Sequence, residues 1–266
     1  MKMSQIKIKD LFIDFSMPRS EERLVVVSNL NIGIERGEFV TIVGSSGCGK
    51  STLLLAIAGL VKPSEGTISM DGQLVTGPSR ERAPVFQDAS LLPWRTVLGN
   101  VCFGLELQRW KRDDISERAK RYIRMVGLSD YTNYYPHQLS GGMRQRVNIA
   151  RALAVDPEVL LMDEPFGALD AQTREIMGNE LLKIWGRDRK TCLFVTHDID
   201  EAILLADRVI VMGRNPGHIK EVISIDLARP RDEAVLSSPE FADLRLRLRR
   251  HLSEDMASMR LVSEEV

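Results

Sequence analysis

Residues 44–51, Gly44-Ser45-Ser46-Gly47-Cys48-Gly49-Lys50-Ser51, leave the surrounding chain little freedom. They fit the pattern G-x-x-x-x-G-K-[ST] and lie between an apolar run, residues 39–43, and a stretch dense in Leu and Ala, residues 51–60. Glycines permit backbone angles that a Cβ would block, so successive N–H groups can turn inward on one anion. The helix that follows adds the positive end of its dipole. The order strand, glycine-rich loop, helix belongs to an α/β core, and its chemistry is phosphate. Lys50 is expected to reach the β and γ phosphates of a nucleotide, Ser51 to ligate Mg²⁺ and Thr52 to bind the α-phosphate, with Gly44, Ser45, Ser46, Gly47, Cys48 and Gly49 forming the cradle. The position between strand and helix weighs against a merely structural Gly-rich turn. A dinucleotide fingerprint does not fit, because Thr52 stands where a third glycine is wanted.

Further β-rich runs fall at residues 6–15, 159–162, 192–195 and 209–212, with helical periodicity filling much of the space between. Met177, Leu181, Ile184 and Trp185 recur at i, i+4, i+7 and i+8 on one helix face. Strands alternating with helices imply a mainly parallel sheet. Gly66, Gly72 and Gly77 instead punctuate short strands such as residues 67–70, the mark of an antiparallel β portion. From about residue 90 to residue 156 the β pattern stops, and residues 109–125 and 143–155 read as helices of an inserted lobe. In the tail, Phe241, Leu244, Leu248 and Leu252 mark an amphipathic helix. Arg245, Arg247, Arg249 and Arg250 lie between them and read as a solvated face, with acidic lipid or nucleic acid as the alternative partner.

Composition narrows the function. The chain has 36 Lys+Arg against 37 Asp+Glu, a balance that argues against a main task of coating nucleic acid. Its 266 residues, 44% hydrophobic, can bury a core without disulfides or a structural metal. Cys48, Cys102 and Cys192 are far apart and lack CxxC spacing, so a reducing cytosol is expected. No apolar run approaches the ~18–20 residues of a membrane span. The polar, charged start MKMSQIKIKD does not read as a secretory signal. A soluble intracellular chain, able to dock on something membrane-bound, is the expectation.

Residues 159–164, VLLMDE, form an apolar strand ending in two acids. Ligands of open α/β sheets sit beyond the carboxyl ends of the strands. Asp163 there would hold Mg²⁺, through water, and Glu164 would polarise the attacking water as general base. Without the phosphate loop, two such acids would more often be a helix-capping turn. Residues 139–146, LSGGMRQR, supply a second anion-binding turn: Ser140 followed by Gly141 and Gly142 at a helix start.

Two phosphate cradles in one chain resemble the ATP-binding cassette (ABC) ATPases, whose LSGGQ signature completes the nucleotide site of a second subunit. Met143 replaces the signature Gln here. The resemblance implies further roles: Gln87 in VFQD as the Q-loop glutamine, touching Mg²⁺ and the reaction; Gly167-Ala168-Leu169-Asp170 as the D-loop; His197 in FVTHD as the switch histidine. Each also has a plainer reading, Gln87 as a turn cap, His197 as structural, Asp170 as an ordinary N-cap before Thr173 and Arg174. An aromatic residue after the first strand would stack on adenine, Phe15 first and Phe12 second, ahead of the insert-like PRSEER. The implied architecture is a P-loop (RecA-like) nucleotide-binding core with an antiparallel β portion and an inserted α-helical subdomain. Residues 1–87 and 159–230 would form the core, 88–158 the helical subdomain and 231–266 a helical tail.

The stretches around these motifs, with Leu92-Pro93-Trp94 as the most telling, are most similar to the nitrate/sulfonate/taurine import ATPases. Ser45, where many members have Pro, and Asn215-Pro216-Gly217, where RPG is usual, depart from the pattern. The resemblance implies a homodimer of ATPase subunits on the cytoplasmic face of the inner membrane. Two permease subunits would meet it, Trp94 and its neighbours among the contacts, and an external solute-binding protein would act indirectly. Sulfonate or taurine is the first expectation for the solute, nitrate or a related anion the second, and a heterocyclic precursor stays open. A cassette ATPase serving nucleic acid or the ribosome is the rival, but the lobe is too short for the long coiled coils of repair cassettes and the chain carries one ATPase unit, not two.

Overall fold

The structure, a computed structural model, describes residues 4–17 and 22–263. Residues 18–21, most of PRSEER, lie outside it. Two compact units emerge, Met1–Pro78 with Thr191–Val266, and Ser79–Lys190.

The first unit holds an antiparallel sheet and a mainly parallel one. β1 (Ser4–Ser16), β2 (Arg23–Glu35), β4 (Glu65–Met70) and β5 (Gln73–Leu74) run in the order β2-β1-β4-β5, every pair antiparallel, which is the β portion expected from the early glycines. β3 (Phe39–Gly44) lies between β8 (Thr191–Val195) and β9 (Arg208–Gly213), parallel to both, and β10 (His218–Ser224) closes antiparallel on β9. All six residues of β3 are buried, as a continuous apolar run between two parallel partners requires. The chain leaves β3 through the phosphate loop into α1 (Lys50–Ala58), which stops at Gly59 in the left-handed conformation.

α6 (Ile199–Leu205) follows β8 and is capped by Asp198, whose carboxylate accepts from the amides of Asp200 and Glu201 at 2.9 and 3.1 Å. α7 (Glu233–Leu236) and α8 (Pro239–Ser263) end the chain. The amphipathic pattern of α8 is realised: Phe241 and Leu248 are fully buried in a cluster with Val43, Ala202, Ile203, Val211 and Ile223, and Leu244 packs against it. Each such apolar side chain contributes about 1.5–3 kcal/mol by leaving water. Two of the arginines between them turn to this unit's own acids, while Arg249 and Arg250 are exposed, as a solvated face requires. Arg245 chelates Asp200, and Arg247 pairs with Glu221, which also meets His251. Arg231 is buried among backbone carbonyls, and burial, with Arg229 beside it, pushes its guanidinium down to about 10. It therefore stays charged at neutral pH.

In the second unit β6 (Arg82–Val85) and β7 (Val159–Asp163) pair in parallel. Between them run α2 (Val97–Leu107), α3 (Arg112–Met125) and α4 (Gly141–Ala154), and α5 (Ala171–Asp188) follows β7. The single helix expected over residues 109–125 is shortened: Arg109 sits at φ +58° in a turn, and the helix begins at Arg112 after Lys111 as N-cap. Charge and propensity alone do not reveal that α2 ends at Leu107 and forces the chain to reverse. Met177, Leu181, Ile184 and Trp185 are all buried on α5, as their spacing requires. None of the three cysteines forms a disulfide, and all are buried. No helix among the described residues is long and apolar enough to cross a membrane.

Candidate functional site

The expected site residues divide between the units, with Phe15, residues 44–52 and His197 in the first and Gln87, Ser140, Gly141, Gly142, Asp163, Glu164 and Asp170 in the second. In the first, Gly47 and Gly49 take φ of +79° and +90°, angles that a Cβ would strain, and the loop curls over the Lys50 side chain. Lys50 is buried, its Nζ donating to the carbonyls of Gly44 at 2.8 Å and Ser45 at 3.0 Å, with Cys48 Sγ 3.8 Å away. α1 starts with no side-chain cap and no acid in its first turn, so its leading amides and its dipole face an anion without competition. Ser51 is exposed in that turn and Thr52 half-buried beside it. A buried ammonium, two loop glycines and an uncapped helix start fit a polyphosphate, and the Ser51 hydroxyl is a hard oxygen donor of the kind Mg²⁺ takes beside phosphate.

The turn between β9 and β10 meets this loop, a contact no motif announced. Gly217 bridges Val27, donating to Val26 O and giving its carbonyl to the Ser28 amide, both at 2.9 Å. A Cβ on Gly217 would stand 2.2 Å from Cys48 O and 2.7 Å from Val26 O, both backbone atoms. Gly217→Ala is expected to push the phosphate loop, costing about 1–3 kcal/mol of stability and weakening nucleotide binding. Thermal melting and ATP titration check this, and wild-type values in both would show that the turn does not support the loop. His197 is exposed at the end of β8, between Thr196 and Asp198, whose amide donates to Thr196 Oγ1 at 3.0 Å. Phe15 presents a 44% exposed ring near the end of β1, opposite Leu24 of β2, while Phe12 is half-buried.

In the second unit Asp163 ends β7 and Glu164 follows at φ +44°. A non-glycine residue in that region is held against its preference, a feature that concentrates at functional sites. The Gln87 side-chain amide donates to Glu164 Oε2 at 3.3 Å, so two of the expected residues already touch. Residues that motif reading missed hold the Gln87 loop. Gln145 and Asn148 of α4 both donate to Phe86 O, at 3.0 and 3.2 Å, and Arg151 donates to Ala89 O and Ser90 O. Their i, i+3, i+6 spacing on one face of a helix that buries Val147 and Ile149 was the available signal.

α4 starts at the Ser-Gly-Gly turn. Ser140 is its N-cap, accepting from Met143 N at 3.2 Å, and is exposed together with Gly141. The D-loop lies beside it: a Cβ on Gly142 would be 3.2 Å from Ala168 O. Asp170 N-caps α5, accepting from Thr173 N at 2.9 Å and Thr173 Oγ1 at 2.7 Å. The Thr173 amide holds the Asp170 carboxyl below the usual carboxylate range.

Residues 27–167 match the family model described as ABC transporter. An uncharacterised ABC transporter ATP-binding protein of Methanocaldococcus jannaschii is 50% identical over 95% of this chain and 92% of its own. A nitrate import ATP-binding protein of Synechocystis is 53% identical over 79% of this chain and 78% of its own. A taurine import ATP-binding protein of Rhizobium johnstonii is 48% identical over 84% and 88%. Among solved structures, the dimeric post-hydrolysis state of an ATP-binding cassette bound to ADP and Pi superposes with a TM-score of 0.78 at 35% identity, covering 84% of this chain and all of that one.

Proposed function

The chain belongs to the ABC transporter family, and we propose that it is the ATPase subunit of an importer for a small anion, acting as a homodimer beneath two permease subunits. It is an ATPase of α/β cassette fold whose hydrolysis is coupled to transport. The observation that carries the reading is the pairing, in one chain, of a loop folded around buried Lys50 with a second, exposed Ser-Gly-Gly helix start.

ATP with Mg²⁺ supplies the cleavable phosphoanhydride when bound. Lys50 and the amides of residues 45–51 bind the phosphates, and Phe15 offers its face to the base. Ser51, Asp163 and Gln87 would hold the cation, while Glu164 would take the proton of the attacking water, with Gln87 keeping its carboxylate oriented. His197 fixes the reacting groups in line. Ser140, Gly141 and Gly142 of one protomer serve the nucleotide of its partner, so that nucleotide bridges two chains and favours their closed pair. Support comes from the solved dimeric cassette bound to ADP and Pi. The Glu164→Gln variant is expected to sediment as a dimer at saturating MgATP and as a monomer without it; a strict monomer in MgATP, even with permease present, refutes the sandwich.

Trp94 is 71% exposed. Buried Asn100 holds its loop in place: it accepts from Leu92 N at 2.8 Å and donates to the carbonyls of Leu92, Arg95 and Thr96. A large aromatic side chain presented on a pinned loop suits a permease contact. The solute does not touch this subunit, and relatives named for nitrate and for taurine import are similarly close, so the class proposed is small anions, sulfonates included. The subunit would then sit peripherally on the cytoplasmic face of the membrane. Copurification from native membranes tests the reading. Recovery of permease subunits supports it, and recovery of ribosomes or DNA in their place overturns it.

A further inference from the structure

α6 has seven residues, too few to persist in water without tertiary support. Its first residue lies two positions after His197. Both of its ends are held by arginines of the C-terminal segment. At the end of the helix Arg231 donates to the carbonyls of Ile203 at 2.6 Å, Leu204 at 3.2 Å and Ala206 at 2.6 Å, and Arg229 donates to Leu205 O at 2.6 Å. The same Arg231 also ties down Ile225 O and Leu227 O. Four successive carbonyls at a helix C-terminus, ordinarily without intrahelical partners, thus find charged donors. At the other end Arg245 of α8 grips Asp200, in the first turn, with Nε and Nη2 on the two carboxylate oxygens. Between the two clamps, Phe241 and Leu248 share a buried cluster with Ala202 and Ile203.

We infer that the C-terminal segment is a positioning device for His197, in which Arg245, through Asp200 and α6, holds the loop from which the histidine acts. The inference rests on the role of His197 proposed above. Arg245 hydrogen-bonds Asp200 and lies over the Phe241 ring, neither of them assigned to nucleotide. Its bidentate grip fixes the start of α6 in orientation as well as distance, which a lysine, a point charge, would do less well. Arg245 and Arg247 thereby acquire a task other than binding lipid or nucleic acid, since they are engaged by Asp200 and Glu221.

The test uses the full chain as Arg245→Ala, Arg245→Lys and the exchanged pair Arg245→Asp with Asp200→Arg, beside His197→Ala. Steady-state ATP hydrolysis and amide hydrogen exchange are measured together. Arg245→Ala is expected to lower kcat about tenfold, because small misplacement of a reacting group is costly, while KM for ATP stays within about twofold. Amides of residues 199–205 should exchange roughly three- to tenfold faster, with those of β3 and α1 unchanged. Arg245→Lys should recover part of kcat and the exchanged pair most of it. Wild-type exchange in α6, an unchanged kcat, or a loss that the exchanged pair does not restore would each overturn the inference. Turnover lost in His197→Ala but kept in Arg245→Ala overturns it alone. Wild-type turnover in His197→Ala removes the histidine's role and this inference together.

Discussion

Lys50→Ala is expected to remove most of the protein's affinity for MgATP while leaving it folded. Lys50 is only 8% exposed, and its ammonium is held by Gly44 O and Ser45 O under the curve of the loop. A hydrogen bond between a cation and a phosphate oxygen is worth about 1.5–3 kcal/mol, so losing it should weaken binding by roughly one to two orders of magnitude. A surface lysine would cost far less, because water screens it. The fold should tolerate the change. Alanine is the better helix former at the start of α1, and Leu53, Leu54 and Ile57, which anchor that helix, are untouched. Calorimetric titration with MgATP, beside a thermal melt, is the measurement. An unperturbed melt with wild-type affinity would refute the phosphate-loop assignment, whereas a collapsed melt would show that Lys50 is chiefly a core residue. Lys50→Arg separates charge from shape, since a planar fork is unlike a compact ammonium at so enclosed a position.

The residues that could be read in advance are those whose information is local. The phosphate loop, VLLMDE and LSGGMRQR each place every needed side chain within nine residues, and the structure puts each at an element boundary: β3 to α1, the end of β7, the start of α4. The buried faces of α5 and α8 were likewise legible, because helical periodicity repeats within one stretch. What was not legible depends on residues far apart in the chain. β2 pairs with β1 through several register shifts, so no clean alternation marks it, and β6 is a four-residue strand containing Pro84. Gly217 matters because Cys48 O lies where its side chain would be, a fact absent from residues 215–217 alone. Arg231, beside Pro230 in a charged stretch, looks like a surface arginine, yet it is buried with its donors on five carbonyls. Asn100, Gln145 and Asn148 occupy a middle ground. A polar residue among apolar helical neighbours signals a buried hydrogen-bonding task without naming the partner. Motifs thus identify the groups that do chemistry, while the groups that aim them emerge only from the fold.

Glu164→Gln is the substitution expected to separate chemistry from binding most sharply. Glutamine keeps the length of the side chain and can still accept from the Gln87 amide through its own carbonyl oxygen, so the 3.3 Å contact has no reason to break. Residue 164 sits at φ +44°, and Gln shares the backbone preferences of Glu, so the strain is the same in both. The one property lost is the capacity of a carboxylate to take a proton. A positioned general base contributes about 10²–10⁴-fold, so single-turnover hydrolysis should fall by that factor while ATP affinity holds. Asp163→Asn should differ in kind. As a metal ligand its loss weakens Mg²⁺-dependent binding along with turnover, and excess Mg²⁺ should recover part of the defect. His197→Ala should resemble Glu164→Gln in retaining affinity, because it misplaces the reacting groups without emptying the site. ATP titration and single-turnover hydrolysis, run side by side on the three variants, give each a distinct pair of values. Near-normal hydrolysis by Glu164→Gln would remove Glu164 from the role of base. Loss of ATP binding in that variant would place the carboxylate among the groups that hold nucleotide, and the base would then have to be sought elsewhere on the loops that follow β7 and β8.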